Sequence, residues 1–281
     1  MSRQLSESVR RNLDSSLETV GDMALKRCAR NIVEELELLD GDKILEIGCG
    51  NGYILSLLNR LDMKLKLVGV DRDKRALSDA KKFIANREVE LIYASAENLP
   101  FRNNSFNKIV MSAVIEHVDN DKKVLEEAFR ILKKDGILTL TTCNINYPFL
   151  WDPINWILQH FFHTHIKLGF WAGIWNQHER LYRKEQIEKM LKQAQFKIDI
   201  SQLLTFWCLP FNHYIVNFIA ILFYNGRLPR ALSTGMNKFK NNKQSRLVKI
   251  LFAVVNLIDT MNDLIPLNSG VSIFIKAKRS N

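Results

Sequence analysis

The chain has 281 residues, of which 47% are hydrophobic and 25% charged, with a formal net charge of +10 at pH 7. This composition is typical of a globular chain that buries a sizeable core. Its four cysteines, Cys28, Cys49, Cys143 and Cys208, form no CxxC pair, which argues against a disulfide framework. The excess of positive charge favours an anionic partner or simply solubility, and we expect no secretory signal at the polar N-terminus.

Residues 5–39 carry apolar positions at helical spacing and predict one helix that ends at the GD dipeptide 41–42. Short apolar runs then alternate with amphipathic segments, a pattern that predicts a doubly wound parallel sheet in an α/β fold. The predicted strands are 43–49, 65–71, 89–95, 106–114, 136–143, 196–204 and 270–278. The predicted helices are 52–60, 73–86, 121–133 and 183–195.

We therefore expect a single domain over residues 1–281, with helical, aromatic-rich insertions after strands 5 and 6 of a seven-stranded sheet. Its expected parts are an N-terminal helical segment 1–42, a ligand-binding half 43–143, an aromatic insertion 144–177, the rest of the sheet at 178–204 and 269–279, and a second insertion 205–268. The aromatic insertion, here called the lid (residues 144–177), contains four of the five tryptophans.

A glycine-rich segment, LEIGCGNG (45–52), leaves the first predicted strand and enters a predicted helix. Glycines at 48, 50 and 52 allow a sharp turn and a close approach to a ligand. Their spacing differs from both the dinucleotide GxGxxG pattern and the GxxxxGK[ST] phosphate loop. Asp71 ends the next strand, where a carboxylate can accept hydrogen bonds from both ribose hydroxyls of a nucleoside. Taken alone, Asp71 is also a suitable helix N-cap.

Further segments follow in a specific order: GVD (69–71), SAENLPF (95–101), FNKIVMSAVIEHV (106–118) and HERLYRKEQIEKMLKQAQF (178–196). With the glycine segment, they resemble the class I S-adenosylmethionine-dependent methyltransferases. The similarity is greatest to the small-molecule branch of ubiquinone and menaquinone biosynthesis methyltransferases, and it covers about residues 40–143 and 178–204. It implies a Rossmann-like methyltransferase sheet and S-adenosyl-L-methionine as the methyl donor.

The resemblance implies a donor site made of Glu46, Gly48, Cys49, Gly50, Gly52, Asp71, Arg72, Ala96, Glu97 and Ser112. In that site the glycine loop surrounds the methionine part of the donor, and Glu46 orients the loop and meets the amino group. Asp71 binds the ribose, Ala96 and Glu97 flank the adenine, and Ser112 lies beneath the sulfonium. Ser95 stands where the family often has an acid for the adenine amine, so Glu97 or backbone near Ala96 takes that role.

Methyl transfer requires a nucleophile aligned with the carbon–sulfur bond, and a general base helps when the acceptor is a phenol or an acidic carbon. The candidate catalytic residues are Glu116 and His117, just after the fourth strand, although the pair is also suited to orienting the following loop. Tyr147 and His178 are further candidates. No metal is expected, because Ser112 to Ile115 offer no additional acid and the three histidines of HFFHTH (160–165) have no fourth ligand nearby.

The second insertion begins with 22 uncharged residues, LLTFWCLPFNHYIVNFIAILFY (203–224), long enough to span a bilayer. Its polar residues and its overlap with a predicted strand favour a buried or interfacial segment instead. Seven Lys or Arg follow at 225–249, and an amphipathic run at 250–267. This order favours peripheral contact with an anionic membrane, with tryptophans at the interface. The alternative is that both insertions form a helical cap with aromatic residues in its core.

Together these features predict a cytoplasmic, peripherally membrane-bound methyltransferase that acts on a hydrophobic, lipid-like or prenylated small molecule. The alternatives are an RNA methyltransferase, a soluble small-metabolite methyltransferase with a helical cap, and a non-catalytic scaffold. We do not expect a nucleic-acid partner, because SAVIEHV (112–118) lacks the Asn/Asp-Pro-Pro-aromatic motif used on base amines. The basic run is also flanked by apolar segments rather than set on a polar groove.

Overall fold

The computed structural model describes residues 5–18, 20, 22–84, 89–208, 211, 214, 256–265 and 267–280. Most of the uncharged run 203–224, all of the basic run 225–249 and residues 250–255 lie outside the described residues, and so do the predictions made for them. Within the described part, no helix combines the length and the apolar character needed to cross a membrane.

Seven strands form one sheet, as predicted: β1 (Lys43–Ile47), β2 (Lys66–Asp71), β3 (Glu90–Tyr93), β4 (Phe106–Ser112), β5 (Leu132–Cys143), β6 (Phe196–Leu204) and β7 (Ser272–Arg279). Their spatial order is β3-β2-β1-β4-β5-β7-β6. The expectation of a wholly parallel sheet is wrong for β7, which runs antiparallel to β5 and β6. A buried apolar run is equally suited to either direction, so the sequence pattern contains no signal for this reversal.

The reversal of β7 fixes where the second insertion begins and ends. Cys143 at the end of β5 pairs with Ser272, and Ser272 pairs with Leu204 at the end of β6. Because β6 runs parallel to β5, the chain leaves β6 and enters β7 at the carboxyl edge of the sheet. Open α/β sheets bind their ligands at this edge, so residues 205–271 are anchored at both ends beside the expected site.

The helices that accompany the strands include α1 (Glu7–Leu17), α2 (Met23–Glu35), α3 (Tyr53–Asn59), α4 (Lys74–Ile84), α5 (Asp121–Ile131), α6 (Pro153–Phe162) and α7 (Lys184–Gln193). Two 3₁₀ segments occur at Ile115–His117 and Phe170–Trp175, and residues 256–264 are helical. The expected single helix 5–39 is wrong, because the chain breaks after Leu17. The carboxylate of Asp22 then accepts a hydrogen bond of 3.0 Å from Leu25 N and caps a new helix.

The core has a layer on each face of the sheet, and alternation along β1 shows how they divide. Leu45 and Ile47 belong to the layer shared with α5 and α7, whereas Ile44 belongs to the layer shared with α1 to α4. Since successive strand residues point to opposite faces, Glu46 shares the face of Ile44. Its carboxylate is thereby directed towards α3, the helix that follows the glycine loop.

Candidate functional site

The glycine loop joins β1 to α3 with all three glycines at positive φ: 69° at Gly48, 50° at Gly50 and 78° at Gly52. A Cβ on Gly48 would lie 2.5 Å from a methyl of Val114, and one on Gly52 would lie 2.6 Å from Ile84 Cδ1. A Cβ on Gly50 would meet no described atom within 4 Å. Two of the glycines are therefore required for close packing, while the third borders open space where a ligand can approach the backbone.

Asp71 connects the end of β2 to this loop. Its Oδ2 accepts a hydrogen bond of 2.7 Å from Gly50 N, and its Oδ1 accepts one of 2.8 Å from Asp73 N. The N-cap of α4 is provided by Asp73, whose Oδ1 accepts a 2.8 Å hydrogen bond from Arg75 N. Asp71 is therefore not the N-cap of α4. Its carboxylate lies against the open backbone of Gly50, where the ribose was expected.

Glu46 is only 3% exposed, and its Oε2 accepts a 3.2 Å hydrogen bond from Leu55 N in α3. Burial raises the pKa of its carboxyl well above the ordinary value, and the negative charge of Asp71 raises this pKa further. The Leu55 N–H opposes the rise in part. The carboxylate thus fixes α3 relative to β1, consistent with the predicted role in orienting the loop. Its contact with a donor amino group stays a prediction.

Two further predicted donor residues border the glycine loop and β2. Cys49 is buried, and its backbone N–H donates to Val70 O at 2.9 Å, so it ties the loop to β2. The guanidinium of Arg72 donates a 3.1 Å hydrogen bond to the carbonyl oxygen of His117. This bond joins the ribose side of the expected site to the segment that follows β4.

The predicted adenine residues follow β3 and the predicted sulfonium residue ends β4, two strands that are separated in the sheet by β2 and β1. Glu97 Oε1 accepts a 2.9 Å hydrogen bond from Asn120 N, and Glu97 N donates to Ser95 Oγ at 3.2 Å. Ala96 is partly buried against the core between them. Ser112 Oγ, at the end of β4, accepts a 3.2 Å hydrogen bond from Thr141 Oγ1. All four residues lie at the carboxyl edge or in its loops, and their donor contacts remain predictions.

The candidate catalytic residues Glu116 and His117 lie together on the 3₁₀ turn after β4. Glu116 is fully buried, and its Oε2 accepts a 2.9 Å hydrogen bond from Thr142 Oγ1. Its Oε1 has no hydrogen-bond partner among the described residues. Burial raises the pKa of the Glu116 carboxyl, partly offset by nearby His117 and Thr142. Asn120 is the N-cap of α5, so neither Glu116 nor His117 is needed to cap this helix.

A third polar side chain, His178, joins this pair from the segment after the lid. Glu116, His117 and His178 each have an atom able to ligate a metal, and these three atoms lie within 4.8 Å of one another. The two imidazole rings are tilted by 55°, with their centroids 4.6 Å apart. His117 donates through Nδ1 to Gln177 O at 2.9 Å, and His178 donates through Nδ1 to Ile174 O. His178 was a further candidate in the sequence analysis, but its position beside the pair was not predicted.

The segment HERLY (178–182) explains how residues 61 positions apart come together. Glu179 N donates to Glu116 O at 3.0 Å. The Tyr182 hydroxyl lies 3.1 Å from Ile115 O and 2.9 Å from Asp121 Oδ2. These bonds fasten the segment along the 3₁₀ turn and the start of α5. Tyr147, the other further candidate, lies elsewhere, buried in the lid with its hydroxyl donating to Gln159 Oε1 at 2.5 Å.

The lid is organised around the buried carboxylate of Asp152. Its oxygens accept hydrogen bonds from Asn155 N at 3.1 Å, Asn155 Nδ2 at 2.9 Å, Ile174 N at 3.0 Å and the Tyr214 hydroxyl. Gly173 has φ 52°, and a Cβ there would lie 1.9 Å from Asp152 Oδ2. The carboxylate thereby joins the start of α6 to the 3₁₀ segment, and it accounts for the glycine that interrupts the aromatic sequence.

The tryptophans of the lid have different environments. Trp151 and Trp175 are buried in a cluster that includes Met23 from α2 and Val271 from the start of β7. Trp171 is 52% exposed. The expectation that these tryptophans lie at a membrane interface is therefore wrong for the two buried ones, which belong to the core of a cap.

The histidines of HFFHTH do not converge in the structure. His160 stacks on Trp156 with ring centroids 3.8 Å apart, and His165 stacks on Trp175 with centroids 3.7 Å apart. The ligand-type cluster found among the described residues includes none of the three. Two of these histidines are therefore accounted for by aromatic packing within the lid.

Residues 38–200 match the family model described as a methyltransferase domain. An uncharacterised protein of Methanocaldococcus jannaschii is 35% identical over 173 residues, which are 60% of this chain and 58% of that protein. The demethylmenaquinone methyltransferase of Thermotoga maritima is 30% identical over 187 residues, 62% of this chain and 78% of that enzyme. The chain thus spans little more than half the length of the archaeal relative.

Among solved structures, the phosphoethanolamine N-methyltransferase 2 of Haemonchus contortus in complex with S-adenosyl-L-methionine has the same fold. The TM-score is 0.56 at 20% identity, covering 91% of this chain and 53% of that one. At this level of identity the likeness concerns the fold alone. The family match, which covers residues 38–200, includes the glycine loop, Asp71 and the cluster of Glu116, His117 and His178.

Proposed function

The chain belongs to the family of methyltransferase domains, and from this premise we propose that it transfers a methyl group from S-adenosyl-L-methionine to a hydrophobic small molecule at an anionic membrane surface. Prenylated or lipid-like acceptors fit this class. The observation that carries the donor assignment is the open space before Gly50, whose N–H is bonded to Asp71 Oδ2 at 2.7 Å. A carboxylate and a side-chain-free backbone at the end of adjacent parallel strands suit a nucleoside with a charged tail.

Different residues at this edge contact different parts of the donor. When bound, S-adenosyl-L-methionine supplies a methyl carbon already activated by its sulfonium. Asp71 accepts hydrogen bonds from the ribose, and the loop from Gly48 to Gly52 surrounds the methionine part. Buried Glu46 keeps α3 in place behind the loop. This arrangement binds and orients the donor, which is the main requirement of methyl transfer.

The acceptor side is enclosed by the lid and by the cluster of Glu116, His117 and His178. The lid core packs against Met23 and Ala24 at the start of α2 and against Val271 at the start of β7, so it is held over the carboxyl edge. Such a cover excludes water from the reacting atoms. The cluster adjoins the end of the lid, where His178 N donates to Trp175 O at 3.1 Å, and under this proposal it supplies the polar groups that activate the acceptor.

An apolar outer surface supports the hydrophobic acceptor and the membrane contact. On the lid, Phe161 is 70% and Leu168 is 81% exposed, and Leu264 in the helix 256–264 is 76% exposed. Large exposed apolar side chains that lie together mark binding surfaces, and on the lid Phe161 and its neighbour Phe162 are 70% and 67% exposed. The sequence adds seven basic residues at 225–249, each worth about 1 kcal/mol near an anionic surface. The named relative from Thermotoga maritima acts on a demethylmenaquinone by its name, which points in the same direction.

Two measurements test this function. Flotation with anionic vesicles at low and high salt should carry the protein upward, with weaker binding at high salt because screening reduces the electrostatic part. A protein that stays at the bottom in both conditions would refute the membrane contact and favour a soluble methyltransferase with a helical cap. Methylation of a demethylated quinone with and without its prenyl tail then tests the acceptor. Equal rates for the two would exclude recognition of a hydrophobic tail.

A further inference from the structure

The cluster of Glu116, His117 and His178 has the composition of a metal-binding triad. Its ligand-type atoms lie within 4.8 Å of one another. Atoms that bind one ion at about 2.0–2.2 Å lie roughly 3–4 Å from one another. The three side chains would therefore have to move by about 1 Å to coordinate an ion. The expectation that no metal binds was based on residues close to one another in the sequence. The third ligand comes instead from a segment that folds back onto the 3₁₀ turn.

Both histidines have the hydrogen bonds expected of metal ligands. Because a carbonyl oxygen can only accept, the bonds to Gln177 O and Ile174 O place the proton of each neutral ring on Nδ1. In this tautomer of a neutral ring, the lone pair is on Nε2. Metal-ligating histidines usually donate their second nitrogen to a carbonyl or carboxylate in this way, which fixes the ring and its tautomer.

The carboxylate of Glu116 gives an independent indication of a cation. It is fully buried, and while Oε2 accepts from Thr142, Oε1 has no hydrogen-bond partner among the described residues. Buried polar atoms are nearly always paired, and a buried carboxyl is either neutral or paired with a cation or metal. A divalent ion held jointly with His117 and His178 would satisfy this atom.

The ligand types indicate which ion suits the site. Two imidazoles and one carboxylate favour first-row transition ions such as zinc, cobalt, iron or manganese, whereas magnesium and calcium prefer oxygen ligands. Three protein ligands leave open coordination positions for an oxygen of another molecule. The set also adjoins the donor side, since Arg72 donates to His117 O and Val114 packs against Gly48.

We propose that Glu116, His117 and His178 bind a divalent first-row transition-metal ion whose open positions take an oxygen of the methyl acceptor. The role of the ion towards the acceptor rests on the proposed function, whereas binding of the ion does not. A cation held there would lower the pKa of a coordinated phenol or enol, whose proton would pass to solvent, and the resulting oxyanion would take the methyl group as the carbon–sulfur bond of the donor breaks. The substrate class under this proposal is an acceptor with an acidic oxygen, such as a phenol or an enol, that reaches the cluster.

Titration of the metal-free protein with cobalt(II), followed by visible absorption, tests the site directly. The wild-type protein should develop a spectrum that saturates at one ion per chain, and zinc should displace the cobalt while magnesium should not. Glu116→Gln and His178→Gln should each weaken binding at least about tenfold. His160→Gln is the matched control, a histidine outside the cluster, and should bind like wild type. Far-UV circular dichroism shows whether each variant is folded. Affinity for S-adenosylhomocysteine shows whether its donor site is intact.

The absence of a saturating cobalt spectrum for the wild-type protein would overturn the proposal, as would equal weakening in His160→Gln. Zinc X-ray absorption of the wild-type protein needs no variant and remains decisive if a substitution prevents folding. Two imidazole nitrogens in the first shell support the site, and a sulfur ligand contradicts it. Metal binding without affinity for S-adenosylhomocysteine would refute the proposed function while leaving the metal site in place.

Discussion

Asp71 accepts a 2.7 Å hydrogen bond from the backbone N–H of Gly50, so the predicted ribose-binding residue also holds the predicted methionine-binding loop. Asp71→Asn keeps the size but loses the charge and one acceptor oxygen. We expect affinity for S-adenosylhomocysteine to fall at least about tenfold, or about 1.4 kcal/mol, measured by calorimetry. The thermal stability without ligand should fall less, because one partly buried hydrogen bond contributes about 1 kcal/mol.

Asp73→Asn is the control for this change. Asp73 lies two residues further on and caps α4 through Arg75 N, so its substitution alters local stability without removing a predicted donor contact. Asparagine is itself a good N-cap. Equal losses of affinity in the two variants would show that Asp71 acts only through the backbone near the loop.

The loop glycines should respond differently to alanine. A Cβ on Gly48 meets Val114 at 2.5 Å, whereas one on Gly50 meets no described atom within 4 Å. Gly48→Ala should therefore lower the melting temperature markedly, since overpacking costs about 1–3 kcal/mol in addition to the strain of a positive φ. Gly50→Ala should fold but lose binding of S-adenosylhomocysteine, because its methyl group enters the ligand space.

Gly41→Ala is the control that measures only the backbone strain of alanine at a positive φ. Gly41 has φ 89°, has open space around it in the described structure and lies outside the loop. Differential scanning fluorimetry with and without S-adenosylhomocysteine compares the three variants. A Gly50→Ala protein with an undiminished ligand-induced shift would contradict the placement of the donor at this loop.

Donor binding should release protons through Glu46. Burial raises the pKa of this carboxyl, which favours its neutral form without ligand. A nearby ammonium group lowers the pKa and favours ionisation, so binding releases a proton and affinity rises with pH between the two pKa values. Calorimetry of S-adenosylhomocysteine binding in buffers of different ionisation enthalpy measures this proton count.

Glu46→Gln provides the comparison, because glutamine keeps an acceptor for Leu55 N but cannot titrate. We expect the proton release to disappear in this variant. The same proton count in both proteins would mean that Glu46 supports α3 without meeting the donor's amino group.

Asp152 should be essential for the fold of the lid. Asp152→Asn leaves an amide facing donors on Asn155, Ile174 and Tyr214, and each unsatisfied buried donor costs about 1–3 kcal/mol. We expect a lower melting temperature and faster proteolysis within residues 149–175. The control is Asp79→Asn, whose exposed ion pair with Lys82 at 3.1 Å contributes little. Similar behaviour of both variants would contradict this role.

The strands and the glycine loop were predictable because their signals are local. Apolar runs of strand length, a glycine turn and an acid at the next strand end can each be read within a few residues. The break between α1 and α2 was missed, although Asp22 is a recognisable N-cap. The antiparallel direction of β7 was not predictable, because it depends on a chain return 67 residues long, from 205 to 271.

The cluster of Glu116, His117 and His178 illustrates the limit of sequence spacing. Glu116 and His117 were identified as a pair, but His178 reaches them through Glu179 and Tyr182, which bind the turn after β4. Neither bond is visible in a linear pattern. Likewise, the aromatic lid was recognised by its composition, whereas the burial of Trp151 and Trp175 follows from packing against α2 and β7.

The central claim is that this chain methylates a hydrophobic acceptor with S-adenosyl-L-methionine. Its most direct test is transfer of labelled methyl into lipid, RNA and protein fractions of a cell extract, with Asp71→Asn as the matched variant. We predict label in the lipid fraction, with strongly reduced incorporation by the variant. Label confined to RNA or protein, or equal incorporation by both proteins, would contradict the claim.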